Sequence, residues 1–102
     1  MNEASETELV RKALAGDLVA FSILVRRYQD LAYAVAVGVL SDFDLARDVV
    51  QEAFLCAFRE LRKLKDPSRF AGWLRGIVRH TAFRALRELG RVRRLAENMS
   101  EP

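Results

Sequence analysis

Apolar residues recur along this chain at intervals of three and four, the spacing that lines one face of an α-helix, and no stretch alternates polar and apolar residues for long. Four helices follow from the pattern. Ser5-Glu6-Thr7-Glu8 has the capping-box spacing ahead of Leu9, Val10, Ala13 and Leu14, and Gly16 is a natural stop, so a short first helix is predicted. Asp17 can cap a second helix that buries Phe21, Leu24, Val25, Tyr28, Leu31, Ala32 and Val35 and runs to about Leu40. Its last part, Tyr33 to Leu40, is rich in valine and has strand propensity, but a lone strand has nothing to pair with, and the helix is the better reading. Ser41-Asp42-Phe43-Asp44 offers caps for a third helix whose buried stripe is Ala46, Val49, Val50, Ala53, Ala57, Phe58 and Leu61, ending near Arg62. Pro67 has no amide hydrogen for a continuing helix, so Lys63 to Gly72 is read as a charged loop. From Trp73 the period resumes through Leu74, Ile77, Val78, Thr81, Ala82, Ala85 and Leu89 and fades near Gly90 to Arg94. The expectation is an all-α, compact four-helix domain over residues 1–94, a short N-terminal helix plus three longer ones, with 95–102 as a linker or disordered tail.

Length and composition agree with one domain. At 102 residues there is room for one hydrophobic core, and 51% hydrophobic with 30% charged residues supplies the apolar surface to build it. The single cysteine, Cys56, makes no internal disulfide and no cysteine-rich metal site, and reads as a small hydrophobe in a reducing compartment. The acidic start, Met1 to Glu8, is unlike a secretory signal, and the longest apolar run, Leu31 to Leu40, is well short of the ~20 residues of a membrane span. A soluble, cytoplasmic protein with no membrane partner is expected.

Charge changes the picture. The net charge of +3 conceals a pole: residues 59–94 hold twelve Lys or Arg against three acids, whereas residues 1–58 hold five against nine. Such a pole is the footprint of a surface that meets phosphates, since each neutralised phosphate releases counterions. On the fourth helix Arg79, His80, Phe83, Arg84, Arg87 and Arg91 share a sector opposite the apolar stripe, with Gly76 in its middle. Arginine alone there would be an ordinary solvated face, but Phe83 among them leaves a ring where water gains nothing. Rings stack on unstacked bases while guanidinium groups hold phosphates, so the sector suits single-stranded nucleic acid. Trp73 leans toward the same sector; Phe70 and Trp73 can equally plug the loop onto the core. His80, the single histidine, lacks a partner at ligand spacing.

The third helix carries a second exposed stripe of Asp44, Asp48, Gln51, Glu52, Leu55, Arg59 and Arg62. Acids near its N-terminus favour the helix dipole by ~0.3 to 1 kcal/mol, but an exposed leucine among acids and amides makes a docking stripe for a basic helix of a partner protein. No phosphate-cradling glycine loop, paired-histidine zinc motif or nucleophile with a base is present, so neither catalysis nor a cofactor is expected.

The runs Asp44-Leu-Ala-Arg-Asp-Val-Val-Gln-Glu-Ala-Phe54 and Pro67-Ser-Arg-Phe-Ala-Gly-Trp-Leu-Arg-Gly-Ile-Val-Arg-His80 resemble the second conserved region of extracytoplasmic-function (ECF) sigma factors of bacterial RNA polymerase. The resemblance covers about residues 5–94. Its most specific parts are Asp-x-x-Gln-Glu-x-Phe and Phe-x-x-Trp-Leu-x-x-Ile at their mutual distance. It implies the sigma region 2 fold, with Asp48, Gln51, Glu52, Leu55 and Arg59 on the coiled coil of the beta-prime clamp of core RNA polymerase. It further implies that the loop and the fourth-helix sector, through Lys65, Arg69, Phe70, Trp73, Arg79, His80, Phe83, Arg84 and Arg87, recognise and melt the promoter minus-ten element. There a base of the non-template strand is flipped into a pocket beside the loop. His80 stands where the family commonly has asparagine, and Phe83 and Arg84 where smaller or acidic residues are common, so base preference does not transfer. The family's second DNA-binding domain, which reads the minus-thirty-five element, has no counterpart in these residues, so the chain is either a fragment ending in the interdomain linker, the favoured reading, or a protein that acts without that domain. A competing reading is a sigma-like interaction module held by, or sequestering, a partner such as an anti-sigma factor. A helix-turn-helix repressor fits poorly, because ten loop residues precede the last helix where that motif needs a tight turn.

Overall fold

The computed structural model describes residues 5–100. Among these residues four helices form: α1 (Glu6–Leu14), α2 (Leu18–Leu40), α3 (Phe43–Glu60) and α4 (Phe70–Ser100). Two single 3₁₀ turns, Leu61–Lys63 and Pro67–Arg69, join α3 to α4. The valine-rich end of α2 is helical, as the absence of a pairing partner in the sequence required.

Short polar side chains set the helix starts. The Ser5 hydroxyl accepts from the Glu8 amide at 3.1 Å, the Asp17 carboxylate from Val19 and Ala20 at 3.0 and 3.1 Å, and the Asp42 carboxylate from Leu45 at 3.0 Å. Each satisfies an amide that has no partner within its helix, a contribution of ~1 kcal/mol per cap. Between α1 and α2 the chain reverses at Gly16, whose φ of 101° favours glycine. Between α2 and α3, Ser41 takes the left-handed conformation at φ 54° and donates its amide to the Val37 carbonyl at 2.8 Å.

Helix α2 is the hub, packing against α1, α3 and α4, while α3 and α4 also pack on each other. The contact surfaces are built from small residues: Ala36, Ala46, Ala53, Ala57 and Ala82 are all fully buried, which lets the helix axes approach closely. Leu24, Phe70, Leu74, Val10 and Val78 are the largest side chains sealed inside. Thr81 is the one buried polar residue among those described; its hydroxyl donates to the Ile77 carbonyl at 2.7 Å within its own helix.

Four features depart from the sequence reading. Helix α4 starts at Phe70, three residues before Trp73, because the Asp66 carboxylate accepts from the Ser68 amide at 3.0 Å and hydroxyl at 2.7 Å and closes a turn that launches the helix. It then runs through Gly90 to Ser100, so residues 95–100, read as linker, are helical. One helical glycine costs ~1 kcal/mol and does not stop a segment of good helix formers such as Arg91 to Ala96. Residues 91–100 are all exposed. On α3, Phe54 takes the buried place expected of Phe58, which is exposed. Leu14 and Leu31, counted as core, are exposed as well.

Candidate nucleic-acid interface

The outer face of α4 carries Arg79, His80, Phe83, Arg84, Arg87 and Arg91, all exposed as their spacing predicted. Phe83 leaves 41% of its surface open among these cations. Gly76 and Gly72 lie one and two turns before His80 on the same side of α4, and both are exposed. A Cβ added at either would meet no atom within 4 Å, so nothing inside the protein requires glycine there. The result is a strip of bare backbone ending at an aromatic ring and bordered by arginines.

The loop before α4 supplies Lys65 and Arg69, both exposed. Arg69 is tethered, with its guanidinium 3.6 Å from the Asp66 carboxylate. Hydrogen bonds from Ser68, assisted by Arg69, hold the Asp66 carboxyl below its ordinary range. Phe70 requires a correction. At 1% exposure it reaches no ligand, and it instead joins the loop to the core, its ring 5.6 Å from that of Tyr28 and 5.9 Å from that of Trp73. Trp73 is half-buried against it. The Tyr28 hydroxyl donates to the Glu6 carboxylate, and burial followed by that hydrogen bond pushes its pKa up to about 12.

On α3, Asp48, Gln51, Glu52, Leu55 and Arg59 are exposed, and Leu55 shows 59% of its surface. Sequence reasoning placed this stripe but missed its other wall. Leu55 and Gln51 border an open groove between α3 and α2, floored by Val50 and Phe54 and walled by Leu18, Phe21 and Val25. Phe58 closes one end, edge-on to Phe21 at 5.1 Å. Gln29, Asp30 and Arg47 add polar groups at the rim. The available signal was the pair Leu18-Val19, two apolar residues in succession at a helix start, of which periodicity can bury only one.

Glu52 occupies the opposite flank of α3, and its carboxylate accepts from the guanidinium of Arg84 on α4. The two stripes read as separate sites thus meet at one ion pair. Further along α4 the Arg91 guanidinium lies 2.6 Å from the Glu88 carboxylate and lowers its pKa. No helix among the described residues is long and apolar enough to cross a membrane.

The described residues thus form a small all-helical body with an arginine and aromatic face on α4 and a largely apolar groove between α2 and α3. The Sigma-70 region 2 family model matches residues 24–92. The chain is 35% identical over 91 residues to the RNA polymerase sigma-H factor of Pseudomonas aeruginosa, covering 89% of this chain and 47% of that protein. To the ECF RNA polymerase sigma-E factor of Escherichia coli K12 it is 36% identical over 89 residues, covering 87% and 46%. It therefore spans about half the length of these relatives. Among solved structures, an engineered region 2 of sigmaE in complex with GTAAAA superimposes with a TM-score of 0.81 at 38% identity, covering 89% of this chain and 96% of that one. The chain belongs to the sigma-70 region 2 family and is of the ECF type.

Proposed function

We propose that this chain is the domain of an alternative sigma factor that binds core RNA polymerase and recognises and melts the promoter minus-ten element, acting in the cytoplasm without chemistry of its own. The observation that carries the reading is Phe83, an exposed ring set among Arg79, His80, Arg84 and Arg87 on a helix face. The similar region 2 of sigmaE is in complex with GTAAAA, and an aromatic and arginine face suits a single strand of such a sequence: bases stack on the ring while guanidinium groups neutralise phosphates. Lys65 and Arg69 extend the positive edge toward the loop, where a flipped base finds a rim on Trp73.

The polymerase contact falls to Asp48, Gln51, Leu55 and Arg59 on the exposed face of α3, of which Gln51 and Leu55 open onto the α2–α3 groove. Its apolar floor, with the acids and amide that α3 exposes beside it, fits a basic amphipathic helix such as one strand of the beta-prime clamp coiled coil. The same groove supports a second reading in which an anti-sigma factor lays a helix there and blocks the polymerase.

Two measurements test the proposal. Core RNA polymerase should co-purify with the chain and be lost with the Asp48→Ala, Gln51→Ala double variant. Fluorescence anisotropy should show binding to a GTAAAA single strand that weakens steeply with salt and falls about five- to 100-fold in Phe83→Ala, the loss of one base stack. Undiminished polymerase capture by the double variant removes the groove assignment, and unchanged strand affinity in Phe83→Ala removes the stacking role.

A further inference from the structure

We infer that Glu52 is a positioning residue for Arg84, clamping its guanidinium to the flank of α3 and withholding one cation from the nucleic-acid face of the free domain. The inference rests on the proposed DNA reading of α4 and adds to it a residue from α3. Arg84 sits at the edge of the arginine sector nearest α3, one position beyond Phe83. Its partner is 32 positions away in sequence and on another helix. By contrast, the pairs Lys12–Glu8, Lys63–Glu60, Arg69–Asp66 and Arg91–Glu88 join residues three or four apart and tie cations along their own segment.

The site of the pair makes it a clamp. Glu52 and Arg84 lie at the rim of an apolar cleft between α3 and α4 lined by Leu45, Ala85, Leu89 and Val92. Arg84 lines that cleft along with Glu52, and its guanidinium crosses to the carboxylate on α3 in place of a partner on its own helix. Both side chains are about half exposed, 55% and 54%, so the contact is reversible and shifts an equilibrium only about two- to five-fold. A phosphate competing for Arg84 must first displace Glu52. The free domain therefore engages a single strand with one fewer counterion released than its count of arginines suggests.

The test is a double-mutant cycle on the 102-residue chain, with a labelled single-stranded oligodeoxynucleotide containing GTAAAA, anisotropy across a salt series, and circular dichroism to confirm folding. Glu52→Gln should tighten binding about two- to five-fold and steepen the slope of log affinity against log salt by ~0.7, the value of one more phosphate contact on a single strand. In an Arg84→Ala background the same substitution should change neither quantity. An equal gain in that background would mean that removing any acid helps, and overturns the clamp. Absence of a gain in Glu52→Gln, with ordinary salt-dependent binding by the unaltered chain, also overturns it while leaving the DNA reading intact. If no variant binds the strand in a salt-dependent manner, the DNA reading falls and the clamp with it.

Discussion

Replacing Gly76 by alanine separates what the fold needs from what the interface needs. Gly76 is inside α4 with ordinary helical geometry, and a Cβ there meets nothing within 4 Å. Glycine loses more backbone entropy on folding than alanine, so Gly76→Ala should stabilise the free domain by about 0.5–1 kcal/mol. For a domain of this size that is a rise in Tm of about 2–8 °C, readable by thermal unfolding followed by far-UV circular dichroism. The same methyl group stands on the bare strip leading to Phe83. If a strand lies along that strip, the methyl holds it off and binding to a GTAAAA single strand weakens several-fold, about 1 kcal/mol or more for an overpacked contact. The domain would become more stable and a poorer binder together. A fall in Tm would refute the reasoning about open space. A rise in Tm with unchanged strand affinity would refute the strip as a place of contact.

Three further outcomes are expected. Phe70→Ala should destabilise the domain by ~3–5 kcal/mol, since it empties the largest sealed position in the core; a near-neutral result in urea unfolding would return Phe70 to the interface. Tyr28 should ionise at about 12 instead of near 10, as read by tyrosinate absorbance in a Tyr33→Phe background. Because its folded pKa is the higher, the stabilisation it brings is complete below pH 10 and disappears as pH rises from about 10 to 12, and an ordinary midpoint would refute the burial of its ring. Asp66, held in the acid form less readily than usual by Ser68, should titrate below its ordinary 3.8 in a carbon-detected NMR titration. Its contribution to the loop is then present above that value and lost as pH falls through the lowered pKa, and a midpoint at or above 3.8 would remove the turn it closes.

How much of this was legible in the sequence depended on the range of the interaction. Caps act over two or three residues, so Ser5, Asp17 and Asp42 could be placed from the chain alone. The exposed sector of α4 was equally readable, because the buried side of a long helix fixes its outer side. Phe54 and Phe58 were not, since residues four apart share a face and only the packing of α3 against the other helices decides which of them is the more deeply buried. The start of α4 was obscured by Pro67, whose usual meaning is a break, whereas here it sits at the beginning of a turn that Asp66 closes. The Glu52–Arg84 pair left no trace in local spacing, because it exists only once α3 and α4 are packed.

The way the helices meet bears on what is left at the surface. Ala36, Ala46, Ala53, Ala57 and Ala82 are fully buried and let the helices pack closely, so not every large apolar side chain finds a place inside. Of the six phenylalanines, Phe54 and Phe70 are buried while Phe43, Phe58 and Phe83 are exposed, at 67%, 44% and 41%. Rings left outside the core contribute less to folding than buried ones, and each exposes apolar area worth ~25 cal/mol per Å² to any partner that covers it. Two of them fall on the surfaces already marked, Phe83 among the arginines of α4 and Phe58 with Leu55 along the groove between α2 and α3. A domain with exposed rings on two faces of different character holds apolar binding surface on each, apart from the residues that hold the fold together.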